Sequence, residues 1–321
     1  MSGRAGEVLL SIVSPVYGAE DVVDELVKRV CDEASKITGD FEVILVEDRG
    51  PDGSWERILA NCKVEARVRG IRLSRNFGQH AAITAGLDCA RGRHVIVMDC
   101  DLQDDPAYIP ALYAKAQEGF DIVYTKKRSR AHSWSKNITA QVYNRMFNYL
   151  VENKIYHMDG SMGAYSILSR KVVLAFRTFN DHHRHYLLVL RWLGFNHATL
   201  EIEHRSRYAG KSSYDFRRLL QHALNGVTSQ SDKLLRLFIT LGFLVSMLSF
   251  LSMVVVIVLY FIHGFMSGWA STIVVMLMST GMILTGIGIL GVYLGKTFEQ
   301  TKNRPKYLIS DEVNTAEIPD E

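Results

Sequence analysis

A long part of the carboxyl-terminal third has no acidic or basic side chain, because no Asp, Glu, Lys or Arg lies between Arg236 and Lys296. Within it, residues 237–262 and 271–294 form two apolar runs. Each run is long enough, at about 1.5 Å per residue, to cross a hydrocarbon core of about 30 Å. A buried helical core is the alternative, but a domain of this size could hardly bury two such helices. The sequence therefore predicts a two-helix transmembrane hairpin.

Other absences exclude several classes of protein. No glycine-rich dinucleotide-binding turn follows the first apolar run, and no phosphate-binding lysine loop of the Walker type is present, which argues against dehydrogenases and P-loop enzymes. The 4 cysteines occur singly, without the paired spacing of a zinc or redox site, and reduced buried thiols are favoured. The net charge of +3 is too small to indicate a nucleic-acid partner.

Short apolar runs alternate with longer amphipathic ones between Val8 and Arg128, which is typical of a parallel sheet flanked by helices. The first run contains Pro15 and follows charged residues, so a buried strand is favoured over a secretory signal. We predict a helix at 21–37 with Asp21 as its N-cap. Strands are predicted at residues 9–16, 41–47, 70–74, 94–98 and 121–125. The predicted buried face of the helix consists of Val22, Val23, Leu26, Val27, Val30 and Ala34.

The distribution of basic residues predicts the sidedness of the hairpin. Lys233 and Arg236 precede the first span, whereas the link between the spans has neither lysine nor arginine. Basic residues also follow the second span, at Lys296, Lys302, Arg304 and Lys306. The positive-inside rule then places both ends, and the soluble domain that precedes them, on the cytoplasmic side. Residues 213–235 are expected to form an interfacial amphipathic helix, and an amphipathic helix packed on the domain is the alternative. The tail 296–321 is expected to be partly disordered, from Ser310 onward.

Two carboxylates follow the predicted strand 94–98 and are candidates for a metal site. Asp99 and Asp101 are separated by one residue, and carboxylates at that spacing repel one another unless a cation lies near them. A hard divalent ion such as Mg²⁺ or Mn²⁺, which also binds phosphate oxygens, suits this pair. A solvated acidic turn at a strand end is the alternative. In open α/β sheets, ligands bind beyond the carboxyl ends of the strands, where this pair is expected to lie.

Several motifs extend this picture and resemble the family 2 glycosyltransferases. They are Pro15-Val16-Tyr17, Glu47-Asp48, Arg75-Asn76-Phe77-Gly78-Gln79-His80, Leu102-Gln103-Asp104-Asp105-Pro106, Arg207 with Gly210-Lys211-Ser212-Ser213-Tyr214, and Asn303-Arg304-Pro305-Lys306-Tyr307. Within the family, the chain is similar to polyprenyl-phosphate glycosyltransferases, including the undecaprenyl-phosphate glucosyl and aminoarabinose transferases and those like dolichol-phosphate-mannose synthase. The resemblance covers nearly the whole chain. It implies a glycosyltransferase A fold (GT-A, an α/β fold) over residues 1–212, followed by the interfacial helix, the hairpin at 236–295 and the tail.

The resemblance also implies roles for individual residues. Asp99 and Asp101 would hold Mg²⁺ or Mn²⁺ on the donor diphosphate, with Gln103 near the sugar and the metal. Residues implied in nucleotide-sugar binding are Pro15, Tyr17, Glu20, Asp48, Arg75, Asn76 and Gly78. Many relatives have two aspartates and then Gly-Ser where this chain has Glu47-Asp48-Arg49-Gly50, which weakens the implied base or ribose contact of Asp48.

A second departure concerns the acceptor side of the site. Many relatives carry an aspartate in a Gly-Asp-Phe motif that aligns with Gly163-Ala164-Tyr165, whereas this chain has an earlier aspartate, Asp159, as the aminoarabinose-type relatives do. Asp159 is thus a candidate for the acceptor-side carboxylate, and a turn-forming Asp-Gly is the alternative. The candidates for binding the acceptor phosphate are Lys127, Arg128, Arg130, Arg205, Arg207, Lys211 and Tyr214.

The implied reaction is inverting transfer of a sugar from a nucleotide sugar, with UDP favoured, to polyprenyl phosphate at a bacterial cell membrane. The product would serve cell-envelope glycan or lipopolysaccharide modification. The implied partners are the donor, the lipid acceptor, the membrane and, as an open alternative, further copies of the chain. Three other interpretations remain open, namely a processive polysaccharide synthase, a non-catalytic nucleotide-sugar-binding scaffold and a component of lipid-linked sugar transport.

Overall fold

The computed structural model describes residues 8–127, 162–179, 181, 184–203, 233–263 and 268–314. These residues divide into two compact units. Residues 8–203 and 304–314, as far as they are described, form the first unit, which contains the sheet. Residues 233–263 and 268–303 belong to the second unit, which is helical. The interfacial helix predicted at 213–235 lies almost entirely outside the described residues.

Among the residues that the structure describes, eight strands form a mixed sheet at the centre of the first unit. Its strands are β1 (Leu10–Val16), β2 (Phe41–Glu47), β3 (Val68–Leu73), β4 (His94–Val97), β5 (Ile122–Lys127), β6 (Met162–Ser169), β7 (His197–Ile202) and β8 (Ile309–Val313). The spatial order is β7-β5-β6-β4-β1-β2-β3-β8. Strands β4, β1, β2 and β3 are parallel, whereas β6 and β8 run antiparallel to their neighbours β4 and β3. The five predicted strands are therefore confirmed, with ends that differ by at most two residues.

Six helices of the described part of the chain pack around this sheet. They are α1 (Val23–Ser35), α2 (Ser54–Val64), α3 (Gln79–Cys89), α4 (Ile109–Gln117), α5 (Arg170–Thr178) and α6 (Tyr186–Leu193). The six apolar side chains predicted to form the inner face of α1 are all buried. Helix α3 lies very close to the sheet at Gly86, where a Cβ atom would come within 2.2 Å of Val13 Cγ1. This close approach holds the start of α3 near the carboxyl edge of the central strands.

The predicted N-cap of α1 is wrong. The helix begins after Val22, which has helical backbone angles, and no side chain caps it. The carbonyl of Ala19 instead accepts hydrogen bonds from the amides of Val22 and Val23. Backbone groups therefore satisfy the first amides of the helix, and an Asp21 cap is not needed.

The carboxyl-terminal segment differs from our expectation of a disordered tail from Ser310. Residues up to Val313 form β8, which pairs with β3 from Gly70↔Val313 to Leu73↔Ile309. The side-chain amide of Asn314 closes this end, because its Nδ2 donates to the carbonyls of Cys62 and Val68. The prediction of disorder was wrong for 310–313 because a composition argument does not detect an open strand edge that this segment can pair with.

The second unit contains α7 (Lys233–His263) and α8 (Trp269–Thr301). Helix α8 includes a stretch, Met278–Gly295, that is long and apolar enough to cross a membrane, and none of it is buried. Helix α7 covers the first predicted span, 237–262, but among the described residues only the stretch in α8 meets the criteria of a spanning helix. The two-span hairpin therefore remains a prediction.

Candidate active site

The carboxyl ends of β1, β2 and β4 carry polar residues at one edge of the sheet. Parallel pairing aligns Val13 with Val97 and Val16 with Glu47, so the residues that follow these strands emerge side by side. Backbone hydrogen bonds extend the alignment beyond the strands, from Met98 N to Val13 O at 3.0 Å and from Asp48 N to Val16 O at 2.9 Å. This edge is where open α/β sheets bind ligands.

Asp99 and Asp101 lie in the turn that follows β4. Both are half-buried, and Asp101 Oδ1 accepts a hydrogen bond from Gln103 N at 3.1 Å. Leu102, which follows Asp101, has a φ of 55°, and this value is unusual for a bulky residue. Its side chain is only 4% exposed. Burial of Leu102 in the core anchors a strained turn, and such strain is a frequent feature of functional sites.

Gln79 connects this turn to helix α3. Its Nε2 donates to Asp99 Oδ1 at 2.6 Å. Gln79 belongs to the motif 75–80, and nothing in the local sequence indicates which group its side chain contacts. Only the close packing of α3 on the sheet brings its amide to the carboxylate. Gln79 therefore orients Asp99 within the site.

Asp48 holds the β3–α3 loop, which we define as residues 74–78. Its Oδ1 accepts from Phe77 N at 2.7 Å and its Oδ2 from Gly78 N at 2.8 Å. Burial raises the pKa of the Asp48 carboxyl, although these two hydrogen bonds oppose the shift. Gly78 has a φ of 94°, a conformation that favours glycine and lets the loop turn into α3. In this arrangement Asp48 is a loop anchor.

Asp48→Asn tests this anchoring role. An amide has one acceptor oxygen, so one of the two loop amides would lose its partner, and we expect the free energy of unfolding to fall by about 1–3 kcal/mol. Thermal unfolding without nucleotide measures the change. The matched control is Asp40→Asn at an exposed position, where no change is expected. An unchanged melting temperature for Asp48→Asn would show that Asp48 acts only through a ligand.

The remaining predicted donor residues border the same edge. Pro15 is buried within β1, and Tyr17 is exposed at 53% just beyond it. Arg75 and Asn76 are exposed on the β3–α3 loop, and the Arg75 guanidinium lies 4.0 Å from the centre of the Phe77 ring. Tyr17, Arg75 and Asn76 are thus available to a ligand at this edge.

Glu20 lies in the loop after β1, where it contacts the loop after β2. Its Oε2 accepts from Gly53 N at 3.0 Å, and its own amide donates to Asp52 Oδ2 at the same distance. These bonds tie the loop after β1 to the loop after β2. The implied role of Glu20 in nucleotide-sugar binding remains a prediction.

The donor set at Asp99 and Asp101 fits a hard divalent cation. Carboxylate oxygens are the ligands that Mg²⁺ and Mn²⁺ prefer, and Mg²⁺ is often held by one or two carboxylates together with substrate phosphates. Within the described ranges, no group of three or more His, Cys, Asp or Glu side chains forms a complete metal cage. Two carboxylates therefore suit a cation whose coordination a diphosphate would complete.

Comparison with known proteins identifies the family. Residues 11–175 match Glycosyl transferase family 2. The chain belongs to this family. It is 31% identical over 317 residues to the undecaprenyl-phosphate 4-deoxy-4-formamido-L-arabinose transferase of Aeromonas hydrophila, covering 97% of this chain and 96% of that protein. It is also 33% identical over 304 residues to an uncharacterized glycosyltransferase of Synechocystis sp., covering 94% and 95%.

A solved structure shows the same fold. The glucosyl-3-phosphoglycerate synthase of Mycobacterium tuberculosis, in complex with Mn²⁺, UDP and phosphoglyceric acid, has a TM-score of 0.52 and 14% identity. The likeness covers 70% of this chain and 77% of that one. The predicted GT-A-like α/β fold and the family resemblance are confirmed. This family 2 member is a glycosyltransferase that uses a nucleotide-sugar donor.

The acceptor side of this glycosyltransferase is described only in part. Lys127 ends β5, and Ala164 and Tyr165 lie in β6, where Tyr165 is fully buried. The other predicted acceptor residues lie outside the described residues, and they are Arg128, Arg130, Asp159, Arg205, Arg207, Lys211 and Tyr214. Their roles remain predictions.

Proposed function

We propose that this glycosyltransferase moves a sugar from a nucleoside-diphosphate sugar, with UDP as the nucleotide, to undecaprenyl phosphate. One observation carries the proposal. Asp99, Asp101, Tyr17 and the β3–α3 loop all lie at the carboxyl ends of the central parallel strands. The similarity to an undecaprenyl-phosphate arabinose transferase over 97% of the chain supports the lipid acceptor. The UDP bound by the fold neighbour supports the nucleotide.

The proposed reaction is a single displacement with inversion. An oxygen of the acceptor phosphate forms a bond to the anomeric carbon of the sugar. The bond from that carbon to the β-phosphate oxygen of the donor breaks, and the electron pair leaves with the nucleoside diphosphate. The acceptor is a phosphate monoester with a second pKa near 6, so at neutral pH its oxygen is largely deprotonated already. The site therefore needs to position the acceptor more than to remove a proton from it.

Negative charge opposes this reaction in two ways. It builds up on the diphosphate as that group leaves, and the donor diphosphate repels the acceptor dianion. Asp99 and Asp101 would hold Mg²⁺ or Mn²⁺, which supplies positive charge to the leaving diphosphate when it is bound. Gln79 keeps Asp99 oriented, and Gln103 follows on the same turn. The cations predicted on the acceptor side would offset repulsion between the acceptor dianion and the donor, and arginine suits bidentate binding of phosphate.

Location at a bacterial cell membrane is part of the proposal. The apolar stretch Met278–Gly295 of α8 supports a membrane-inserted segment. Lysine and arginine residues flank the predicted hairpin on both sides, which supports a catalytic domain on the cytoplasmic face. A polyprenyl phosphate acceptor would be presented at that face. The product would then serve envelope glycan or lipopolysaccharide modification.

The full-length protein in detergent or vesicles tests this function directly. Labelled UDP-, GDP- and CMP-sugars are supplied with undecaprenyl phosphate, and label in the organic-extractable lipid is measured. We expect one of the UDP-sugars to give a product that carries a single sugar. A product with many sugars would indicate a processive synthase. No transfer from any donor, with nucleotide binding retained, would favour the scaffold interpretation instead.

A further inference from the structure

The segment that follows α8 belongs to the first unit and packs on its sheet. We call residues 304–313 the return segment, because the chain re-enters the sheet there. Its last part is β8, which pairs with β3, and the carbonyl of Leu308 accepts from Ser74 N at 2.8 Å. Ser74 is the first residue of the β3–α3 loop. The return segment thus holds one end of the loop that Asp48 anchors at the other end.

Tyr307 attaches the same segment to helix α3. Its hydroxyl donates to Asp88 Oδ2 at 2.9 Å, and both residues are half-buried. Next to it, Lys306 Nζ donates to Phe179 O at 2.8 Å. Burial raises the pKa of the Asp88 carboxyl, although the Tyr307 hydrogen bond and nearby cations oppose the shift. A hydroxyl that donates to a partly buried carboxylate is one of the stronger neutral-to-charged contacts.

Cationic side chains near this contact favour the charged form of the Asp88 carboxylate and so oppose the effect of burial. Arg177 Nε lies 4.0 Å from Asp88 Oδ1, and it also donates to the carbonyl of Leu87 in α3. Arg184 is only 6% exposed and acts electrostatically on Asp88. Asp88 therefore accepts from Tyr307 at a position that is also close to two cations. The contact joins the return segment to the helix whose first residue, Gln79, orients Asp99.

We propose that Tyr307 is a positioning residue, which holds α3 and the β3–α3 loop in the conformation that binds the nucleotide-sugar donor. Two separate contacts of the return segment support the inference. Leu308 accepts from Ser74 in the loop, and Tyr307 donates to Asp88 in the helix. Both contacts are made to elements that also contact the site. The loop reaches Asp48 through Gly78, and the helix reaches Asp99 through Gln79. The inference rests on the proposed function only in taking the bound ligand to be a nucleotide sugar.

Tyr307→Phe in the full-length enzyme tests the proposal, because it removes the hydroxyl and keeps the ring. We expect KM for the donor to rise about fivefold with kcat nearly unchanged, which matches the net contribution of one typical hydrogen bond. The affinity for UDP alone, measured by calorimetry, is expected to fall by a similar factor. Asp88→Ala removes the same contact together with the ion pair to Arg177, so it should raise donor KM at least as much, and the double variant should be no worse than Asp88→Ala alone.

The matched control is Asn314→Ala, at the other end of β8. Asn314 anchors that strand to Cys62 and Val68, away from the loop. We expect this variant to lower the melting temperature and to leave donor KM unchanged. Equal donor KM in Tyr307→Phe and wild type would overturn the proposal, and so would additive effects of Tyr307→Phe and Asp88→Ala. A wild type that binds UDP but transfers no sugar would refute the proposed function alone, because UDP affinity still tests the positioning role.

Discussion

Asp101→Asn is expected to reduce sugar transfer by about a thousandfold or more, since loss of one preorganised group that stabilises charge already accounts for about a hundred- to thousandfold. The substitution preserves size and removes one of the two charges at the tip of β4. A neutral amide is a weaker ligand for a hard divalent cation than a carboxylate is. The variant should therefore bind Mn²⁺ more weakly in the presence of UDP, which electron paramagnetic resonance of the ion measures without reference to turnover.

Two controls isolate the effect of Asp101. Asp105→Asn changes a neighbouring carboxylate whose Oδ1 accepts from Ala107 N, a bond that an amide oxygen can also accept, and we expect nearly full activity. Chelation of divalent ions should abolish transfer by wild type, and added Mg²⁺ or Mn²⁺ should restore it. Full transfer by Asp101→Asn, or by wild type in chelator, would remove the metal from the mechanism.

Glu42→Gln is expected to lower the free energy of unfolding by about 3 kcal/mol, the lower end of the range for breaking a buried ion pair. Glu42 is 2% exposed near the start of β2, at the opposite edge of the sheet from Asp99. Its Oε2 accepts from Arg69 Nη1 at 2.6 Å, and its Oε1 accepts from Ser11 Oγ and Arg91 N, each at 2.7 Å. The variant would leave Arg69, which is equally buried, without its counter-charge.

The pH dependence of this stabilisation has a defined sign. Burial opposes ionisation of Glu42, but hydrogen bonds from Ser11, Arg91 and Arg69 lower its pKa below the ordinary value. Its contribution is thus present above the unfolded-state pKa and is lost as pH falls through the lowered folded-state pKa. The difference in melting temperature between wild type and Glu42→Gln should shrink over that acidic window.

Glu65→Gln provides the comparison for Glu42→Gln. Glu65 forms an ion pair with Arg67 at 2.7 Å, but both side chains are about one-third exposed. Hydrogen bonding from Arg67 lowers the pKa of Glu65 to about 2, yet solvent screening limits such surface pairs to about 1 kcal/mol or less. A destabilisation by Glu42→Gln no larger than that by Glu65→Gln would contradict the buried network.

Local patterns predicted much of the sheet and its first helix. The strand 41–47 has the predicted ends, and the apolar spacing of α1 gave its buried face correctly. Short-range periodicity is reliable there because the position of a residue within its own helix or strand determines which face it lies on. The Asp21 cap failed, since backbone carbonyls of the preceding turn satisfied the same amides. Strand β8 was missed because its partner, β3, lies more than two hundred residues earlier in the chain.

The sequence by itself determined the family, the α/β class, the Asp99 and Asp101 pair and the apolar stretch in α8, because each depends on residue types at short spacing. Only the tertiary structure decided that Asp48 holds the β3–α3 loop, that Gln79 orients Asp99 and that Tyr307 reaches Asp88. Such contacts depend on the close packing of α3 against the sheet and on the pairing of β8 with β3. Hydrogen bonds between residues distant in sequence form only when the fold brings donor and acceptor within about 3 Å, and no local pattern encodes that distance.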